Sequence, residues 1–99
     1  MKIKTERYKS ASDFGHALGM SDLDMEMVRQ KKHLIEKLRH ARIKKGLSQT
    51  DVANMVASRQ PAIARMESGQ ISEVSMDFLL KVALALDVPV TIKMIGEAA

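Results

Sequence analysis

The sequence predicts an all-α bundle with a long N-terminal helix and a short C-terminal β-strand, on three observations. Leu23, Met27, Leu34, Leu38 and Ala41 recur at spacings of four, seven, four and three, which marks one face of an α-helix. Ser21, Ser48 and Ser75 each stand where a helix N-cap belongs, ahead of a stretch with helical periodicity. The stretch VPVTIKMI at 88 to 95 alternates with period two instead. At 99 residues the chain builds one small domain, because a chain of this size buries only about 60–65% of its unfolded surface and cannot support two cores.

Taken in order, residues 2 to 8 are expected to be weakly extended, and Ser12 to Leu18 to form one or two helical turns limited by Gly15 and Gly19. From Ser21 to Gly46 the pattern is that of one long helix. Asp22, Asp24 and Glu26 occupy its first turns and basic residues mass before Gly46, a polarity that matches the helix macrodipole. Its Leu-Met stripe, Leu23 to Ala41, is expected to pack in the core. Ser48 then caps a short helix over Thr50 to Val56 that buries Val52, Ala53 and Val56, and Ala57-Ser58 breaks it. Gln60 to Glu67 resumes the helix with Ile63 and Met66 inward and Ala64 and Arg65 outward, until Ser68-Gly69 closes it. Ser75 caps a final helix over Met76 to Leu86, stopped by Asp87-Val88-Pro89.

That final helix is apolar around its whole circumference apart from Asp77 and Lys81, and a helix of that kind is buried on all sides. In a bundle of four or five helices the face carrying Phe78 and Leu84 is wet unless a second chain covers it. The strand at 88 to 95 places Val88, Val90, Ile92 and Met94 on one side, and it needs a partner for its backbone groups. The candidates are Lys2 to Tyr8 and the same strand of a second subunit across a two-fold axis, and the inter-subunit pair is favoured. Three parts follow: an N-terminal arm at 1–20, a helical unit with its N-terminal extension at 21–88, and a dimerisation strand and tail at 89–99.

Charge and composition narrow the function. The formal charge is +4, and residues 29 to 45 hold Arg29, Lys31, Lys32, Lys37, Arg39, Arg42, Lys44 and Lys45 against the single acid Glu36. Such a balance favours a polyanionic partner. Zero Cys removes a disulfide framework, a thiolate zinc site and a Cys nucleophile. An aromatic content of 3% disfavours a base-stacking platform. No apolar run is long enough to span a bilayer and the first ten residues are too polar for a secretory leader, so a soluble cytoplasmic protein is expected.

No catalytic constellation is present and no cofactor or metal is expected. His33 and His40 lie seven apart on the basic helix without an acid cluster beside them, and they read as solvated side chains. Asp22, Asp24 and Glu26 read as first-turn charges, and Gly15 and Gly19 lack the Lys-Ser or Lys-Thr of a phosphate loop. Membrane-surface binding by the basic helix is disfavoured, because its apolar stripe is needed for the core.

Two short helices across a tight break, flanked by a basic helix and an apolar one, have the layout of a helix-turn-helix. The Ser48-Gln49-Thr50 start can meet a phosphate, and Lys44 and Lys45 lie just before that loop. The second short helix would enter a major groove with Arg59, Gln60, Pro61, Ala62, Arg65 and Ser68 outward. Gln suits adenine, Arg suits guanine or phosphate, and Ala or Pro can touch a thymine methyl.

The segment LSQTDVANMVASRQPAIARMESG, residues 47 to 69, resembles the helix-turn-helix of the Cro/repressor (XRE) family. With the flanking helices the resemblance covers about residues 33 to 88, and it implies a lambda-repressor-like bundle. It further implies that Gln49, Arg59, Gln60, Ala62 and Arg65 face DNA, and that Arg42 and Glu67 form a structural ion pair joining two helices. Two positions depart from the family pattern: Ala57 replaces the usual turn Gly and Ser58 a usual buried Val or Ile. Ala in a left-handed conformation costs roughly 1–2 kcal/mol, so a strained turn is expected, and Pro61 must fall within the first turn of its helix.

The helical extension and the closing strand are similar to those of HigA-like and HipB-like antitoxins of bacterial toxin–antitoxin operons. The expected function is a homodimeric, sequence-specific DNA-binding autorepressor, the antitoxin of such an operon, bound to an inverted-repeat operator through double-stranded DNA. Phe78, Leu84, Val90, Ile92 and Met94 form its expected dimer interface. Two alternatives stand beside this: a stand-alone XRE-type regulator, and a protein whose main activity is to hold a small toxin on its N-terminal 30 residues and the outer face of its first long helix.

Overall fold

The structure, a computed structural model, describes residues 11–91. Five α-helices follow one another: α1 (Ala11–Ala17), α2 (Asp22–Lys44), α3 (Gln49–Met55), α4 (Gln60–Glu67) and α5 (Met76–Ala85), with a 3-10 turn at Ile71–Glu73 between the last two. Helix α2 has 23 residues, a length of about 34 Å at the usual rise per residue. The expectation of residues 2 to 8 as extended backbone lies outside the described residues.

Local chemistry sets the boundaries. Ser21 and Ser48 each form a reciprocal capping box, Ser21 with Asp24 and Ser48 with Asp51. Ser75 caps α5 by accepting from the Phe78 N–H at 3.1 Å. At the other ends, α2 and α3 close with paired bonds from the two residues that follow the cap. Leu47 N–H reaches Arg42 O and Gly46 N–H reaches Ile43 O after α2. Ser58 N–H reaches Ala53 O and Ala57 N–H reaches Asn54 O after α3. This geometry needs a left-handed residue just past the cap. Gly46 supplies it after α2 with φ 70°, whereas Ala57 after α3 and Asp87 after α5 adopt φ 54° and 55° with a side chain in place.

The core is a single cluster. Leu34, Ile35 and Leu38 of α2 meet Val52, Ala53 and Val56, then Ile63 and Met66 of α4, Val74, and Leu79, Val82, Ala83 and Leu86 at the α5 end. Ile63 and Leu79 are wholly excluded from solvent, as are Leu38 and Val82. The expected inward faces of α3 and α4 are therefore the observed ones, whereas α5, expected to be buried on all sides, buries Leu79, Val82 and Ala83 and leaves Leu84 exposed.

Helix α2 departs from expectation over its first half. Leu34 and Leu38 are buried and Ala41 half-buried, but Leu23 is 73% exposed and Met27 45%. The stripe predicted as continuous core thus runs past the edge of the bundle, because the core that α4, α5 and the 3-10 turn form with α2 takes in only Leu34, Ile35 and Leu38 of it. Helix α1 lies against α2 and brings Gly15 under the Met25 side chain, where a Cβ would collide with the thioether. Ile35, next to Leu34, is buried although the i, i+4, i+7 stripe omits it.

The expected strand is also corrected in part. Val88–Thr91 carry no strand pairing. Val88 and Val90 instead pack against the core, and the Lys37 ammonium donates to the Pro89 carbonyl at 3.2 Å, seating this segment on α2. The remainder of the expected strand, with Ile92 and Met94, lies outside the described residues.

Candidate nucleic-acid interface

The site is built on α3 and α4, which cross at the Ala57 corner. Helix α4 starts at Gln60 with Pro61 in its first turn, where the missing N–H costs no hydrogen bond. Arg59 precedes it as an N-cap residue with extended backbone and makes no side-chain capping bond, so its guanidinium is not spent on the helix end. Ile63 and Met66 anchor α4 in the core, which leaves Gln60, Pro61, Arg65 and Ser68 exposed and Ala62 half-buried.

One polar chain ties the two helices to α2. Arg42 clasps Glu67 with two bonds, Nε to Oε2 at 2.7 Å and a terminal guanidinium nitrogen to Oε1 at 2.8 Å. The third guanidinium nitrogen donates to Leu47 O at 2.9 Å, holding the turn before α3. Gln49 donates its amide to Glu67 Oε1 at 3.1 Å, and the Gln49 Oε1 accepts from the Gln60 amide at 2.8 Å. The carboxylate of Glu67 is nearly inaccessible, while Gln60 at the other end of the chain is exposed.

The chain fixes how Gln60 is presented. Its Nε2 is turned toward Gln49, so its carbonyl oxygen and remaining amide hydrogen are left for a partner. Those are the acceptor and donor that match the adenine N6 and N7 positions in a major groove.

Electrostatics follow from the same contacts. Burial pushes the Glu67 carboxyl up, but hydrogen bonds from Arg42 and Gln49 and the charges of Arg42 and Arg39 outweigh it and hold the group below the ordinary range. Bonding to Glu67 raises Arg42 in turn. Asp51 is held low by the Ser48 N–H and hydroxyl. Among the described residues no buried side-chain polar atom lacks a partner.

The other predicted positions fall as follows. Lys44 and Lys45 are exposed at the end of α2, beside the turn into α3. Ser48 and Thr50 are exposed, but Ser48 spends its N–H and its oxygen on Asp51, which lowers its capacity for a phosphate. Gln49 is half-buried. Ser68 donates its hydroxyl to Arg65 O at 2.8 Å. Arg65 Nε lies 3.9 Å from Glu73 Oε2. Of the predicted dimer residues, Leu84 is 79% exposed, whereas Phe78 and Val90 are half-buried against the chain's own core.

Sequence reasoning passed over Arg39. Its Nε lies 4.0 Å from Glu67 Oε1 and its side chain is largely exposed, so it joins the positive edge of the same cluster. Its position one turn before Arg42 was the available signal.

Two short helices held at a tight corner, the second with an outward polar edge and both braced on a third, constitute a helix-turn-helix. A family model described as helix-turn-helix matches residues 38–93, more than half of the chain. The chain belongs to this family, in its XRE type, and is a DNA-binding transcriptional regulator. No curated protein and no solved structure matches it. Among the described residues no helix is long and apolar enough to cross a membrane, and no group of three potential metal ligands occurs.

Proposed function

We propose that the protein is a homodimeric autorepressor that lays α4 of each subunit into successive major grooves of an inverted-repeat operator. The bonded pair Gln49–Gln60 at the head of α4 carries this reading, since it orients an exposed amide between two exposed arginines, Arg59 and Arg65. Lys44, Lys45 and Thr50 flank the pair and contact phosphates, Ser48 serves them by capping α3, and Pro61, Ala62 and Ser68 shape the surface against the bases. Two-fold symmetry places the half-sites about 34 Å apart, one turn of the duplex.

The outer face of α5 supports the dimer. Phe78, Leu80 and Leu84 lie along it with Asp77 and Lys81, and an antiparallel copy of this helix sets Lys81 of each chain against Asp77 of the other. Ile92 and Met94 extend that interface if the closing segment pairs between subunits.

Selection of operator sequences from a random pool, followed by binding of variants, tests the assignment. Gln60→Ala relaxes selection for adenine at one position of each half-site, and Arg65→Ala weakens binding by about 1–3 kcal/mol. Unchanged affinity and unchanged sequence preference in both would remove α4 as the reading helix. An antitoxin role is a second reading, favoured by the exposed Phe14 of α1 and Leu18 just after it, which lie apart from α3 and α4 and offer a protein partner an apolar hold. Co-expression with the adjacent reading frame tests it: a co-purifying small protein whose toxicity is relieved supports the role, and neither effect refutes it.

A further inference from the structure

The two exposed arginines of the α4 edge are placed differently. Among the described residues no acid lies within ion-pair distance of Arg59, whereas the Nε of Arg65 lies 3.9 Å from Oε2 of Glu73. Glu73 stands on a fixed base. It closes the 3-10 turn Ile71–Glu73, its N–H bonds to Gln70 O at 3.1 Å, and Val74, the next residue, is buried in the core and donates its N–H to Ile71 O at 3.2 Å. The Glu73 side chain itself is more than half exposed and makes no hydrogen bond among the described residues.

The chain from 47 to 74 holds two other acids, and both are committed. Asp51 accepts from the Ser48 N–H at 2.8 Å, and Glu67 is clasped by Arg42. Glu73 is thus the acid of this segment whose charge stays open beside a surface that meets a polyanion. Such a charge opposes binding to any duplex, and an exposed ion pair adds little to the stability of the fold. What it can supply is selectivity.

We infer that Glu73 is a specificity-determining residue: by engaging Arg65 at Nε and repelling phosphate, it directs the two terminal guanidinium nitrogens of Arg65 onto a guanine edge in the major groove. The inference rests on α4 being the reading helix. A guanidinium carries its five N–H donors in a rigid planar fork. With the carboxylate on the Nε side, the end left for a partner is the pair of terminal nitrogens, and a bidentate contact of that kind suits guanine O6 and N7. An arginine with no such partner can turn instead to the nearest phosphate, a contact that adds affinity for every sequence alike. Glu73 penalises that alternative twice, because the turn breaks the ion pair and leaves an uncompensated carboxylate near the backbone.

The test uses full-length protein and operators selected from a random pool. The base preference that Arg65→Ala loses, expected to be guanine, marks the Arg65 position, and the one that Gln60→Ala loses serves as an internal control. Wild type and Glu73→Gln are then titrated against the selected duplex, against duplexes changed at either position, and against a random duplex over a series of salt concentrations. Expected for Glu73→Gln is a several-fold smaller preference for guanine at the Arg65 position, with the Gln60 preference and the melting temperature unchanged. The random duplex is expected to bind several-fold tighter, with the slope of log affinity against log salt steeper by about one. An unchanged guanine preference in Glu73→Gln, where Arg65→Ala abolishes it, overturns the inference and leaves α4 as the reading helix. A base other than guanine at the Arg65 position also overturns it, as do both preferences falling together with the melting temperature, which would make Glu73 a structural residue only. If Arg65→Ala and Gln60→Ala both select the wild-type sequence, the reading helix is lost and the inference with it.

Discussion

Arg42 and Glu67 show how much of the molecule hangs on one pair of side chains. Their bidentate contact joins α2 to the end of α4, steadies the Leu47 turn, and anchors the amides of Gln49 and Gln60. The two partners are not equivalent. Removing Arg42 strands a carboxylate that is almost wholly buried, whereas removing Glu67 leaves a guanidinium that retains a path to water. Arg42→Met is therefore expected to cost about 2–4 kcal/mol, within or below the usual range for orphaning a buried charge because Arg39 and Gln49 remain nearby, and Glu67→Gln to cost less. Thermal unfolding followed by circular dichroism orders the two. The same pair sets the response to acid. A carboxyl held below its ordinary value near 4.5 contributes stability that is complete above that value and is withdrawn as pH falls through the depressed folded one. Melting temperature should be insensitive to this group between pH 7 and about 5 and decline below, with Glu67→Gln making the decline shallower. Asp51 titrates with the same sign and retains part of it in that variant.

Helices and turns were largely legible in the sequence because they rest on local chemistry. The three serine caps, Pro61 at the head of α4 and the Gly46 and Gly69 ends all act within a few residues of themselves. The Ala57 corner shows a local signal read correctly as a cost: the turn forms in the left-handed region and is strained there. Ala57→Gly should stabilise the protein by about 0.5–1 kcal/mol, the left-handed penalty for Ala less the greater chain entropy of Gly, seen as a rise in melting temperature with DNA affinity unchanged or higher. Two things were not legible. The first half of α2 has the periodicity of a core helix, and only the number of helices available to cover it decides how far the core extends. The Gln49–Gln60 bond also has no sequence signature, because the eleven-residue separation becomes a contact only through the angle at Ala57.

At the scale of the whole molecule the polar edge of α4, the apolar outer face of α5 and the bare stripe of α2 lie on different parts of one small bundle. The candidate site was legible as a set of residues, through the resemblance over residues 47 to 69, but their grading was not. Ser48 is committed to its own helix, and Phe78 and Val90 are partly committed to the chain's own core. The proposed dimer through α5 would therefore rest most heavily on Leu84. Leu84→Lys is expected to yield a monomer by light scattering and to reduce affinity for a paired operator far more than for a single half-site. A dimer of unchanged mass at low micromolar concentration would point to contacts elsewhere.

Helix α2 also acts as a ruler. One rigid rod, gripped by the core at one end and covered by α1 on one side at the other, spans about the same distance as a full turn of B-DNA. A partner held at its far tip would ride clear of a duplex read by α4, so operator and partner would not be forced to compete.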